Sequence, residues 1–179
     1  MKFVFALLAL FAGLIYWMLN GEPRFVDTVL VHLPVDDRSE MAKHVEKIGG
    51  EMDYDISSDG NGSLRIDARE RVLVDLYRVW GNEEDLSFRQ LVYEAKVRTE
   101  EASAPVFLVM QAGLTSAPHG MPVVGRDKAI RGTNDWTTMQ IWAGNPAGTR
   151  LLETTLQLEI DGPGTVWIDD VKLISRQTI

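Results

Sequence analysis

GPGTVWIDDVKLI, residues 162–174, is a run of strand-forming residues interrupted by two adjacent aspartates, Asp169 and Asp170. Side chains of a regular strand alternate between its two faces. Val166, Ile168, Asp170 and Lys172 would then share one face, and Trp167, Asp169, Val171 and Leu173 the other. Neither face is cleanly apolar. One extra residue at the aspartates, a β-bulge, repairs the pattern: Val166 and Ile168 join Val171 and Leu173 on a core face. The carboxylates are then placed to accept backbone N–H bonds. A buried strand, bulged at the aspartate pair, is the expectation.

Working outward, the same period of two recurs. Leu64, Ile66 and Ala68 alternate with Ser63, Arg65 and Asp67, after the turn cluster SSDGNG at 57–62. Met52, Tyr54 and Ile56 alternate before it, and Val72, Val74 and Leu76 after it. In QLVYEAKVRTE, Leu91, Tyr93, Ala95 and Val97 oppose Gln90, Glu94, Lys96 and Arg98. PVFLVMQA at 105–112 is continuously apolar, as in a strand buried on both faces. FVDTVLVHL (25–33), WTTMQIW (136–142) and LLETTLQLEI (151–160) complete the set. GNEEDLS at 81–87 reads as a polar loop, and 113–135 as a long Gly- and Pro-containing connection. Only DDRSEMAKHVEKIGG reads as a soluble helix, with Met41, His44, Val45 and Ile48 on one face. Many short strands with turn signals between them predict an all-β, antiparallel two-sheet sandwich.

Residues 3–19, FVFALLALFAGLIYWML, are 17 residues without a charge. As a helix they span roughly 26 Å, a little short of the ~30 Å bilayer core but within the range of membrane spans. Tyr16 and Trp17 suit the headgroup region, and Lys2 favours a cytoplasmic N-terminus. The competing reading is a cleaved signal segment, for which Leu19 is a poor outer residue at a cut after Gly21. The division expected is a membrane anchor or signal segment over 1–21 and one domain over 22–179. Both readings put that domain outside the cytoplasm, periplasmic or extracellular, and the anchor reading makes the chain a single-pass protein of the cell membrane.

Composition narrows the function classes. The 179 residues are 45% apolar, enough for one sizeable core. There is no cysteine, so disulfides, thiolate metal sites and cysteine nucleophiles are excluded. The formal net charge is −8 with no basic stripe, a poor basis for binding nucleic acid. His32, His44 and His119 are scattered, and GNEED reads as a solvated turn. Ser116 and His119 form no triad with an evident carboxylate. No catalytic constellation emerges, and a non-enzyme is expected.

GNGSLRID (60–67), GTNDWTTMQI (132–141) and GPGTVWIDDVKL (162–173), in this order, resemble the galactose-binding-like jelly roll. The likeness is to the carbohydrate-binding modules of glycoside hydrolases and covers roughly residues 50–174. The opening stretch from Phe25 to Gly50 departs from the pattern of those modules. The resemblance implies a jelly-roll sandwich, glycan binding on exposed aromatic rings, and a structural Ca²⁺ for which Asp170 would be the side-chain ligand. Trp136 and Trp167 lie within the recurring motifs and are assigned to packing. Tyr77, Trp80 and Trp142 are left as candidate ligand platforms. The expectation is a membrane-anchored binding module, for glycan. The alternative is a structural or protein-interaction component of a bacterial envelope complex.

Overall fold

The structure, a computed structural model, describes residues 25–35, 50–80, 90–114, 117–144 and 151–178. The apolar segment 3–19, the helix expected over 36–49 and the GNEEDLS loop lie outside the described residues. Among those that are described, no helix is long and apolar enough to cross a membrane.

Among the described residues the strands are β1 (Phe25–Leu33), β2 (Gly50–Asp53), β3 (Ser63–Ala68), β4 (Val72–Trp80), β5 (Gln90–Leu114), β6 (Ala117–Val124), β7 (Ile130–Gly144), β8 (Leu151–Ile160) and β9 (Gly164–Thr178), with a 3-10 turn at Arg126–Lys128. All pairings are antiparallel. One layer holds β2, β3, β9, the first half of β5 and β7, with β1 beside the second half of β9. The other holds β4, β8, the second half of β5 and β6.

The layers are not two separate sheets, as the sequence suggested, but one continuous nine-stranded sheet folded over. The stretches 90–100 and 105–112, expected as two strands, form the single 25-residue strand β5. It changes layer at a corner where its register with β7 slips repeatedly between Val97 and Val106, and Glu101 takes φ 51°. The expected long connection 113–135 is also largely strand. Ala117–Val124 folds back on Val109–Leu114, and β7 begins at Ile130.

The three family-like motifs meet at this corner. Thr99 Oγ1 donates to the Gly132 carbonyl (2.9 Å), Asn134 donates to Thr99 Oγ1 (3.0 Å), and Thr133 Oγ1 accepts from the Glu101 N–H (3.1 Å). Leu64–Ala68 pairs with Gly164–Ile168. Gly164 lies so close to the corner that a Cβ there would stand 2.6 Å from the Ala102 Cα.

The core fills the space between layers. Leu64, Ile66, Tyr93, Val97, Val166, Ile168, Val171 and Leu173 face Val74, Leu76, Leu108, Met110, Leu156 and Leu158. Each such side chain contributes about 1.5–3 kcal/mol when fully buried. The bulge at the aspartates is present. Glu94 opposes Lys172 and Lys96 opposes Asp169, so Asp170 and Val171 together oppose Ala95. There β9 also exchanges its other neighbour, leaving β3 after Ile168 and meeting β1 at Val171.

Candidate functional site

A second bulge orients the side chains of β4. Its register with β8 shifts between Asp75 and Tyr77, so that the consecutive residues Leu76 and Tyr77 both turn inward. Beyond it Tyr77 and Val79 turn inward, opposite Leu156 and Thr154. Arg78 and Trp80 turn outward, opposite Thr155 and Glu153. Continuing across β5, the outward face carries rows Trp80–Glu153–Gly113, Arg78–Thr155–Gln111, Asp75–Gln157–Val109 and Leu73–Glu159–Phe107.

This face is polar and internally braced. Arg78 Nε pairs with Glu153 Oε1 at 3.0 Å. Gln157 Nε2 donates to Asp75 Oδ1 at 2.6 Å, and Arg71 Nε to Glu159 Oε1 at 2.8 Å. The Arg126 guanidinium lies 4.9 Å from the centroid of Phe107. Thr155, Gln157 and Glu159 are buried although they are polar, while Trp80 is 65% exposed. Gly113, beside Glu153, leaves the Trp80 row without a side chain at its third position. An exposed indole next to held carboxylate and guanidinium groups, with a held amide further along the face, is suited to stacking on a ring and reading its hydroxyls.

The three aromatic candidates do not share one surface. Trp80 is on this outward face, and Tyr77 points into the layer interface behind it. Trp142 is on β7, opposite Val92, on the outward face of the other layer, and is 59% exposed. Asp75, Arg78, Glu153 and Gln157 were not singled out from sequence. Glu153, Thr155, Gln157 and Glu159 did recur at period two in LLETTLQLEI, the available signal. Their partners on β4 depend on a pairing that sequence does not print.

Trp167 is a packing residue, as assigned, though not in the core between layers. It lies buried on the outward face of β9, between Arg65 and Arg98 at 5.8 and 5.7 Å from its ring. Its Nε1 donates to Asp53 Oδ2 at 2.8 Å. Burial alone would raise the Asp53 pKa, but that indole bond and the N–H groups of Ile56 and Asp55 lower it.

Asp169 is fully buried. Its Oδ1 accepts from the Asp170 N–H and its Oδ2 from the Ser58 N–H at 2.9 Å, as expected of a bulge carboxylate. Asp170 has the surroundings of an ion pair. Lys172 Nζ lies 2.7 Å and Lys96 Nζ 3.7 Å from its Oδ2, and His32 Nε2 lies 2.8 Å from its Oδ1. Burial tends to raise its pKa, and the Lys172 and His32 bonds outweigh this and hold it low. A calcium ion needs six to eight oxygens. Two ammonium groups on the same carboxylate do not fit that ion, and among the described residues no cluster of three acidic or histidine groups forms.

No family model matches the chain, and no curated protein matches it. Solved structures do. The CBM22-1 xylan-binding domain of Paenibacillus barcinonensis Xyn10C is 13% identical, with a TM-score of 0.51 over 84% of this chain and 96% of that one. The CBM22-1-GH10 modules of Clostridium thermocellum xylanase 10B, complexed with xylohexaose, are 13% identical with a TM-score of 0.50, covering 86% of this chain and 26% of that one. The enzymatically active domain of tailspike protein 4 from Bacteriophage CBA120 is 8% identical with a TM-score of 0.50, covering 87% of this chain and 19% of that one. At such identity the likeness is one of fold. The chain has the galactose-binding-like jelly-roll fold, similar to that of carbohydrate-binding modules.

Proposed function

We propose that the chain is a non-catalytic glycan-binding domain, held at a membrane through residues 3–19 and displayed outside the cytoplasm. The recognition surface is the outward face of β4, β8 and the second half of β5. One observation carries this reading: Trp80, 65% exposed, stands beside the braced pair Arg78–Glu153, with the pair Asp75–Gln157 two rows further along the same face. Trp80 is the stacking platform, with Tyr77 supporting its strand from behind. The fold, shared with a xylan-binding domain, supports the ligand class. It does not select a sugar.

The test is a glycan array probed with the full chain in nanodiscs, followed by calorimetry on any hit. Binding that Trp80→Ala abolishes and Trp136→Phe leaves intact is expected. Silence across the array, or binding insensitive to Trp80→Ala, rejects the surface. A reporter active only outside the cytoplasm, fused after Ile179, tests the orientation. Activity is the expected result.

A further inference from the structure

Exposed apolar side chains gather at one end of the sandwich. The register fixes the neighbours in one layer: Gly144, Gln90, Arg176 and Asp27 lie side by side across β7, β5, β9 and β1. The next outward row is Trp142, Val92, Ile174 and Val29, apolar throughout. Its middle, Val92 and Ile174, is buried, while its ends, Trp142 and Val29, are 59% and 54% exposed. Phe25 opens β1 beyond the Asp27 row, with the Arg176 guanidinium 5.6 Å from its ring centroid, and Val26 follows it, both about half exposed. Residues 145–150 connect the end of β7 to the start of β8, which brings the exposed Leu152 to the same end. A solvated outward face is ordinarily polar.

The chain outside the described residues joins here. The apolar run 3–19 reaches Phe25 through residues 20–24 alone. At about 3.3–3.6 Å per residue, that link holds Phe25 within roughly 20 Å of the end of the run. The charges bordering the row are balanced. Arg176 is paired with Asp27 at 2.7 Å, and Glu94 accepts from Gln140 at 3.2 Å and faces Lys172 at 4.0 Å. No basic excess calls for an anionic partner. Indole and other apolar side chains with balanced charges around them suit the headgroup region of a zwitterionic bilayer.

We propose that this end of the sandwich is a second, peripheral membrane contact. Trp142, Val29, Phe25, Val26 and Leu152 rest on the lipid surface, and the domain stands at a fixed attitude to the bilayer rather than swinging on its link. Trp80 lies at the same end on the outward face of the other layer, where its strand partner Glu153 adjoins Leu152. The proposal rests on reading residues 3–19 as an anchor.

The test uses the full chain in phosphatidylcholine vesicles and tryptophan quenching by spin-labelled lipid. In a Trp17→Phe background, a label just below the headgroups is expected to quench emission, and adding Trp142→Phe is expected to remove most of the lipid-dependent part. Trp136→Phe is the control and should not change it, and Val29→Asn should weaken it in a chain that keeps Trp142. Unchanged quenching in the Trp142→Phe chain overturns the contact. So does a Trp142 shielded both from the lipid label and from aqueous acrylamide, which would mean that a second copy or another part of this chain covers the row. The anchor is read separately, from deep-label quenching of Trp17. If Trp17 is quenched and Trp142 is not, the contact fails and the anchor stands. If neither is quenched, both fail.

Discussion

Asp169 shows why a charged residue occupies a core strand. It is fully buried, yet each carboxylate oxygen accepts a backbone N–H, one within the bulge and one from Ser58, 111 residues away in sequence. Hydrogen bonds to a charged group are worth about 1.5–3 kcal/mol each. Asp169→Ala strands both donors and is expected to cost about 3 kcal/mol, read as a fall in the urea midpoint. Asp170 behaves differently, because its partners are cations. Adding chelator should leave the melting temperature unchanged; a clear fall would restore a calcium role for this region. Tyr93 is a residue whose removal should help. Its hydroxyl is buried without a hydrogen-bond partner among the described residues, and burial pushes its pKa well up. Tyr93→Phe removes an unsatisfied polar group and is expected to stabilise by about 1 kcal/mol, measured by denaturant melting.

At the scale of elements, β5 organises the sheet, since it pairs with β6, β7, β8 and β9. Its corner depends on close backbone approach, with Ser103 N–H donating to the Pro163 carbonyl at 2.9 Å. Gly164→Ala would drive a methyl into the Ala102 backbone, and overpacking of this kind costs about 1–3 kcal/mol. A lowered melting temperature with unchanged far-UV circular dichroism is the expected outcome. The strands themselves were legible in the sequence because alternation reports which side of a strand is buried. The bulge at Asp169–Asp170 was legible for the same reason, through broken parity. The corner was not, because residues 99–106 keep an extended pattern while the strand changes layer. Nor was the grouping of Trp80 with Glu153, since the bulge at Leu76 sets the direction of Trp80 and alternation across it gives either face. Strand order, and hence the separation of Trp80 from Trp142, resides in pairings between distant segments.

For the whole molecule, pH reports how the strands of the β9 layer are fastened to one another. Asp27 is held low chiefly by its bond from Arg176, across β1 and β9. Asp53 and Asp170 are held low against the opposing effect of burial, by the Trp167 indole in one case and by Lys172 and His32 in the other. A carboxylate with a folded pKa below its ordinary 3.8 contributes stability that is present above that value. The contribution disappears as the pH falls through the folded pKa. The melting temperature should therefore be nearly level in this respect from neutral pH down to about 5 and decline below about 4. Asp170→Asn should make the decline shallower; a chain whose acid melting is indifferent to that change would refute the assignment.

The pairing of β1 with β9 has a consequence for biosynthesis. The earliest of the described strands to leave the ribosome finds its neighbour only in the last one, and β3 and the first half of β5 await the same strand. The layer that holds β1 and β3 is thus completed only once β9 has been made. Until β9 emerges, β1 is an unclaimed edge rich in valine beside a hydrophobic segment, an exposed template for wrong pairing. Deletion from Val171 onward should yield a product that is synthesised, fails to fold and is degraded.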